Sequence, residues 1–316
     1  MEFLEKGWKK ADLHVHTSCS FDVLPAPELS PEALYKKGLD LGLDFITFTD
    51  HDTMEAYELL GLEREKLVPG VELTIRDLES AGHTIHINVY ELDFEEFEEL
   101  KELVKIEPKL LSVIKYLKKH KLPYIYNHPL WFEFHEEAEP SKVPELAKHF
   151  SVLEYNMHEL KLKNEMIVAL AERLGKGIAA STDAHTGKFG QAYTLAKGAN
   201  FREFFRNIEK GQNFIVPEDL TRKFLIEEMN TWLDLTFEKS QQDREAKAFL
   251  SGIKPVDAVV KLSRSNLLSC FPSLNRKTME LFSLLANSGI PAAFYLHLEK
   301  VMAKQIAREI RDQKPK

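Results

Sequence analysis

Short apolar runs rich in β-branched and aromatic residues recur through the first two-thirds of this chain, and most are followed by apolar positions at helical spacing. The runs fall at residues 10–15, 45–49 (FITFT), 66–75 (KLVPGVELTI), 83–90 (HTIHINVY), 123–126, 152–155, 178–182 and 213–216. Such runs, bounded by turn residues, predict buried strands. Between them the spacing predicts helices over 31–41, 53–60, 94–106, 108–120, 141–149, 164–174 and 201–210. Ser30-Pro31 supplies an N-cap and a first-turn proline, while Gly42, Gly61 and Gly175 supply stops. Strands alternating with helices favour a mainly parallel α/β sheet, and seven to eight strand-like segments are enough to close a barrel. Past Pro217 strand signals fade, and helical spacing predicts helices over 222–237, 255–262, 278–287 and 291–312. The expected organisation is an α/β body over residues 1–216 and an all-helical extension over 217–316.

Charge sharpens this division. Residues 1–216 carry 26 Lys and Arg against 37 Asp and Glu, whereas 217–316 carry 16 against 13. An acidic body argues against duplex nucleic acid as a partner, since such binding relies on basic surface. It suits a phosphate-bearing substrate only where bound cations reverse the local sign. The start of the chain, MEFLEKGWKK, is charged, and no apolar run reaches the ~18 residues of a membrane span. Two cysteines, Cys19 and Cys270, are too few for a disulfide framework. The expectation is a cytoplasmic protein with no membrane partner; a homo-oligomer is left open.

Candidate chemistry begins at Ala11–Asp22, ADLHVHTSCSFD. Side chains two apart in a strand share a face, so His14 and His16 point the same way. Paired neutral imidazoles suit transition metals, and Asp22 can add an anionic oxygen. His51, Glu72, His128, Asp183 and His185 then lie at or just past the ends of later predicted strands. In a parallel barrel those ends form the face on which active sites are built.

Six motifs stand in order: DLHVHT with Asp22, TDHD at 49–52, PGVE at 69–72, HTIHI at 83–87, NHP at 127–129 and STDAHT at 181–186. On these motifs, over about residues 10–195, the chain resembles the PHP (polymerase and histidinol phosphatase) family of metal-dependent phosphoesterases. The resemblance implies a distorted (β/α)7 barrel of TIM-like form. It implies two or three divalent metal ions, with manganese, zinc or iron as candidates. His14, His16, Glu72 and Asp183 would hold the first; Glu72, His86 and His128 the second; Asp22, His51 and His185 the third. Glu72, His51 and Asp183 would be the catalytic residues. Some members carry His where this chain has Asp22.

His83 and His86 compete for one role, because three apart in a strand they face opposite sides. The family pattern favours His86 and leaves His83 as a surface or loop partner. Glu154 and Asn156 share a strand face and are candidates to support the site. Lys188 and Arg76 are candidates to meet substrate phosphate. His120, His135, His149, His158 and His297 match no motif and are read as structural.

The implied reaction is hydrolysis of a phosphoester by metal-activated hydroxide. A small phosphomonoester, such as a nucleotide or nucleoside bisphosphate, is favoured as substrate. The alternatives are a phosphodiesterase or exonuclease acting on oligonucleotides, for which Trp131 and Phe132 offer stacking surfaces, and a non-catalytic metal-binding module.

Overall fold

The computed structural model describes residues 7–133, 136–242 and 272–312. Among these, one sheet has the order β2 (Phe45–Ile46), β1 (Trp8–Asp12), β8 (Tyr193–Lys197), β9 (Asn213–Val216). The other has the order β3 (Gly70–Asp77), β4 (His83–Tyr90), β5 (Tyr124–Tyr126), β6 (Val152–Asn156), β7 (Gly177–Ser181).

The strands are less uniformly parallel than the alternation with helices predicts. β1–β2, β5–β6 and β6–β7 are parallel, but β3–β4, β4–β5, β1–β8 and β8–β9 run antiparallel. The reason for the first is chain length: residues 78–82 alone join β3 to β4, and a parallel crossover needs a dozen or more. β8 is also new, since none of the apolar runs predicts a strand over residues 193–197. Nor do the ladders run on into one closed barrel. Among the described residues three isolated parallel bridges join the two sheets, Val15 to Ala184, Ile46 to Leu67 and His51 to Glu72. The Thr194 hydroxyl also links β8 to β7, accepting from Ala180 N and donating to Ala180 O.

Helices cover the sheets. In α1 (Pro31–Asp40) Ser30 caps the backbone N–H of Ala33, and Gly42 follows at φ +68°. α2 (Glu55–Leu60) ends at Gly61. α3 (Phe94–Ile106) opens with a reciprocal cap between Asp93 and Glu96, satisfying two otherwise orphaned N–H groups. With α4 (Leu110–His120) it buries Leu100, Val113 and Leu117 against Val71, Leu73, Ile85 and Ile87 of the sheet. Each such side chain contributes roughly 1.5–3 kcal/mol of burial. A short α5 (Val143–Leu146), flanked by 3-10 turns, and α6 (Lys161–Leu174) follow. α7 (Phe201–Glu209) turns Phe201, Phe204, Phe205 and Ile208 onto Leu13, Val152 and Ala179.

The extension comprises α8 (Arg222–Gln242), α9 (Pro272–Ser288) and α10 (Ile290–Asp312); the helix expected over 255–262 lies outside the described residues. It is packed on the body. Phe224 joins Met157, Leu160 and Ala192, Leu235 joins Val23, Leu24 and Leu29, and Ile306 enters the main core. Buried Lys163 of α6 pairs with Glu159 at 2.8 Å and with Glu299 of α10 at 2.9 Å. Among the described residues no single helix is long and apolar enough to cross a membrane, although α9 and α10, bent by 49°, pass that test when taken together.

Candidate metal centre

The inter-sheet bridges are where the motif residues meet. Beyond β1 the chain stays extended: His16 donates its N–H to Ala184 O, and His14 O accepts from Asp183 N at 2.8 Å. On the other side Asp52 N donates to Glu72 O at 2.9 Å. Two buried carboxylates brace these segments. Asp50 accepts from Thr17 N and Oγ1, and Asp12 accepts from Thr182 N and Oγ1 and from Gly190 N. Burial pushes the Asp12 carboxyl up to about 6. Asp52, His128 and Asp183 hold left-handed φ values of 52°, 25° and 57°. Such values are uncommon outside glycine and gather at functional sites.

Glu72 is the hub. Its Oε2 lies 3.0 Å from His14 Nε2, 3.3 Å from His16 Nε2 and 3.4 Å from His51 Nδ1. Its Oε1 lies 3.3 Å from His86 Nδ1 and 3.2 Å from His128 Nε2, and it accepts from Asn127 Nδ2 at 2.7 Å. Asp183 Oδ1 reaches His14 Nε2 at 3.2 Å and His16 Nε2 at 3.3 Å. Asp22 Oδ2 reaches His185 Nε2 at 2.7 Å and His51 Nε2 at 3.3 Å, while its Oδ1 accepts from Ser20 Oγ. All nine predicted ligands are therefore in one cluster, and His51 stands between Asp22 and Glu72.

Glu154 and Asn156 join it from β6. Glu154 accepts from His14 Nδ1 at 2.7 Å, from His128 N and from Ser181 Oγ, and Asn156 Nδ2 donates to both Glu154 and Asp183. His86 faces the cluster, as the alternation in β4 requires. His83 is not at the surface: it is buried, 3.3 Å from Tyr126 Oη and edge-on to Phe132. Lys188 is held by α8, donating to Glu227 O at 3.1 Å and lying 3.5 Å from Glu228. Arg76 is exposed on the face of β3 that carries Glu72.

Charge governs this centre. Burial disfavours an imidazolium at His14, yet Asp183, Glu72 and Glu154 together raise its pKa well above the usual value. Burial likewise opposes the Glu72 carboxylate, and His14, His51 and His86 overcome it and hold its pKa well below the usual range.

The donor set fits divalent cations. The hydrogen bond to Glu154 fixes His14 Nδ1 as a donor, so Nε2 faces Glu72 and Asp183, which can only accept. The raised pKa keeps a proton there in the metal-free chain, and a divalent cation can take that proton's place. His185 Nδ1 similarly faces Asp183 O at 2.9 Å, turning Nε2 toward the Asp22 carboxylate. Lone pairs facing carboxylates need a positive charge between them. Both ring nitrogens of His86 and Nδ1 of His51 are buried without a hydrogen bond, a costly arrangement without a ligand. Ligand atoms of His16, Asp22, His51 and His185 lie within 4.8 Å of one another, as do those of His14, His16 and Glu72, and of His51, Glu72 and His86.

A crystal structure of a two-domain protein from Bacteroides vulgatus, containing a predicted PHP-like metal-dependent phosphoesterase, superposes on 67% of this chain with a TM-score of 0.50 at 16% identity. The PHP-like fold is shared. This chain spans about 65% of the length of that protein. The lesion-specific endonuclease EndoQ of Pyrococcus furiosus aligns with 66% of this chain and 57% of its own, with a TM-score of 0.47 at 16% identity. No family model matches the sequence, and no curated protein matches it either.

Within this PHP-like frame, sequence reading passed over three contributors. Asn127, inside the NHP motif itself, holds Glu72. His158, read as structural, has a ligand atom within 4.8 Å of those of Asp183 and His185. Burial pulls its pKa down to about 4. Its position two residues past Asn156 was the available signal. Glu228 of α8, which accepts from Thr186 Oγ1 on both oxygens, had none, because nothing local ties residue 228 to residue 186.

Proposed function

We propose that this chain is a metal-dependent phosphoesterase that hydrolyses a small phosphomonoester, such as a nucleotide or nucleoside bisphosphate. The proposal treats the two bridged sheets as a distorted (β/α)7 barrel. His14, His16, Glu72 and Asp183 would hold one divalent cation, Glu72, His86 and His128 a second, and Asp22, His51 and His185 a third. Manganese, zinc and iron all suit this mixture of imidazole and carboxylate. Such cations, when bound, make water acidic enough to serve as a nucleophile near neutral pH and neutralise phosphate oxygens.

The chain's own residues do the rest. Glu154 fixes the His14 ring, and Asn127 and Asn156 orient Glu72 and Asp183. His51, Glu72 and Asp183 stand where the ligand groups adjoin and are the catalytic residues in this proposal. The observation that carries the reading is Glu72 ringed by His14, His16, His51, His86 and His128, with neither buried ring nitrogen of His86 in a hydrogen bond. Cysteine usage supports a cytoplasmic setting.

A second reading, cleavage of oligonucleotides, is favoured by two aromatic side chains at the centre. Phe21 is 71% exposed with its ring 4.9 Å from that of His51. Trp131 is 39% exposed and 5.3 Å from His86. Aromatic faces can stack on bases, but the acidic body weighs against a polyanion. Elemental analysis of purified protein, followed by turnover of mononucleotides and oligonucleotides with Mn, Zn or Fe, tests both. Bound metal with metal-dependent release of phosphate from mononucleotides is expected. Protein that binds no ion and cleaves no phosphoester would overturn the assignment.

A further inference from the structure

Residues Phe224, Glu228, Trp232 and Leu235 fall at i, i+4, i+8 and i+11 of α8, a single helical face. Three are aromatic or aliphatic, and the carboxylate among them is only 16% exposed. Each touches a segment that carries, or adjoins, the Asp22–His185 pair. Leu235 and Trp232 pack on Val23, Leu24, Ala26 and Leu29, the run that begins immediately after Asp22. Glu228 accepts from Thr186 Oγ1 at 2.8 and 2.7 Å and lies 3.5 Å from Lys188 Nζ; these residues directly follow His185. The Phe224 ring is 5.2 Å from that of His158, which is 6.1 Å from that of His185.

We propose that the Asp22–His51–His185 cation group is built jointly by the body and the extension, with Glu228 as the positioning residue that sets the His185 loop against Asp22. The inference rests on the functional reading above and adds the extension to it. Asp22 Oδ2 and His185 Nε2 approach to 2.7 Å from loops 163 residues apart in sequence. Ligands on two separate loops hold a cation only when both loops are fixed relative to each other. From the body side the second loop is held by Lys37 Nζ, which donates to Gly187 O at 2.6 Å, and by Asp12 through Gly190 N. The α8 stripe contacts both loops at once, on Val23, Leu24 and Leu29 on one side and Thr186 on the other, and so adds a brace across the pair.

The test uses the full chain loaded with Mn²⁺, with ions counted by elemental analysis and affinities read by titration calorimetry. Asp22→Ala defines the class of ion that depends on this group. Glu228→Ala is expected to weaken the same class by on the order of 10-fold, to leave the remaining ions bound, and to add nothing further in an Asp22→Ala background. Thr186→Val carries the same expectation and serves if Glu228→Ala fails to fold. If both Glu228→Ala and Thr186→Val bind every ion with wild-type affinity, or either weakens all classes equally, the inference falls while the functional reading stands. A wild-type chain that binds no Mn²⁺ at all fells the functional reading itself, and this inference with it.

Discussion

His14 and Glu154, 140 residues apart, share a 2.7 Å hydrogen bond in which the imidazole Nδ1 donates to the carboxylate. The same carboxylate also accepts hydrogen bonds from His128 N, Ser181 Oγ and Asn156 Nδ2. One buried anion thus sets two candidate ligands. Replacing it by Glu154→Ala leaves several buried donors unsatisfied, at ~1–3 kcal/mol each. The expected loss of stability is at least about 3 kcal/mol, read by urea unfolding of metal-free protein; an unchanged midpoint would contradict it.

Glu72→Ala should cost more in metal than any other single change, because two proposed cation groups share this residue. Elemental analysis should show at least two ions lost per chain, with turnover falling to background. Retention of the full metal content would remove Glu72 from its assigned place.

His83 provides a pH test away from the cation ligands. Burial lowers its pKa from 6.5 to about 4 in the folded chain. The unfolded chain then binds the proton more readily between these values, so stability is full above pH 6.5 and declines as pH falls toward 4. The difference amounts to about 3 kcal/mol. His83→Gln should flatten that part of the stability profile relative to wild type, as followed by chemical unfolding at stepped pH.

Lys163, buried between Glu159 and Glu299, ties α6 to α10. Burial already pushes the Glu159 carboxyl up to about 7, opposed by Lys163. Lys163→Met leaves two buried carboxyls facing each other without a cation. A loss of about 3 kcal/mol is expected in alkaline buffer. Partial recovery is expected as pH is lowered to 7, because removing Lys163 pushes the Glu159 carboxyl further up from about 7 and it takes up a proton. Denaturation curves at two pH values check both parts.

Much of the centre was legible because its information is local. His14 and His16 are two apart, Asp183 sits in a short polar motif at the end of an apolar run, Glu72 is the one carboxylate before Asp77 in the strand β3, and strand alternation separates His86 from His83. The antiparallel β3–β4 pair was missed by the expectation of a mainly parallel sheet, although the short link between the runs at 66–75 and 83–90 leaves no room for a crossover helix. β8 was not legible. Its segment follows a run of glycine and polar residues, and it becomes a strand by pairing with Trp8–Ala11, far back in the chain. Lys188 illustrates the same limit: from sequence it is an exposed loop cation, and only the docking of α8 gives it Glu228 as a neighbour. Contacts between distant segments leave no spacing to read.

The bridge between Val15 and Ala184 has a consequence in time. During synthesis the histidines near the amino end emerge early, while the stretch that must lie beside them is made some 170 residues later. At ~5–20 residues per second, the nascent polypeptide spends roughly ten seconds or more with only part of its ion cage available. Under the proposed function, a cage using all of these ligands can close only after residues 181–186 have been made and have docked beside residues 14–16.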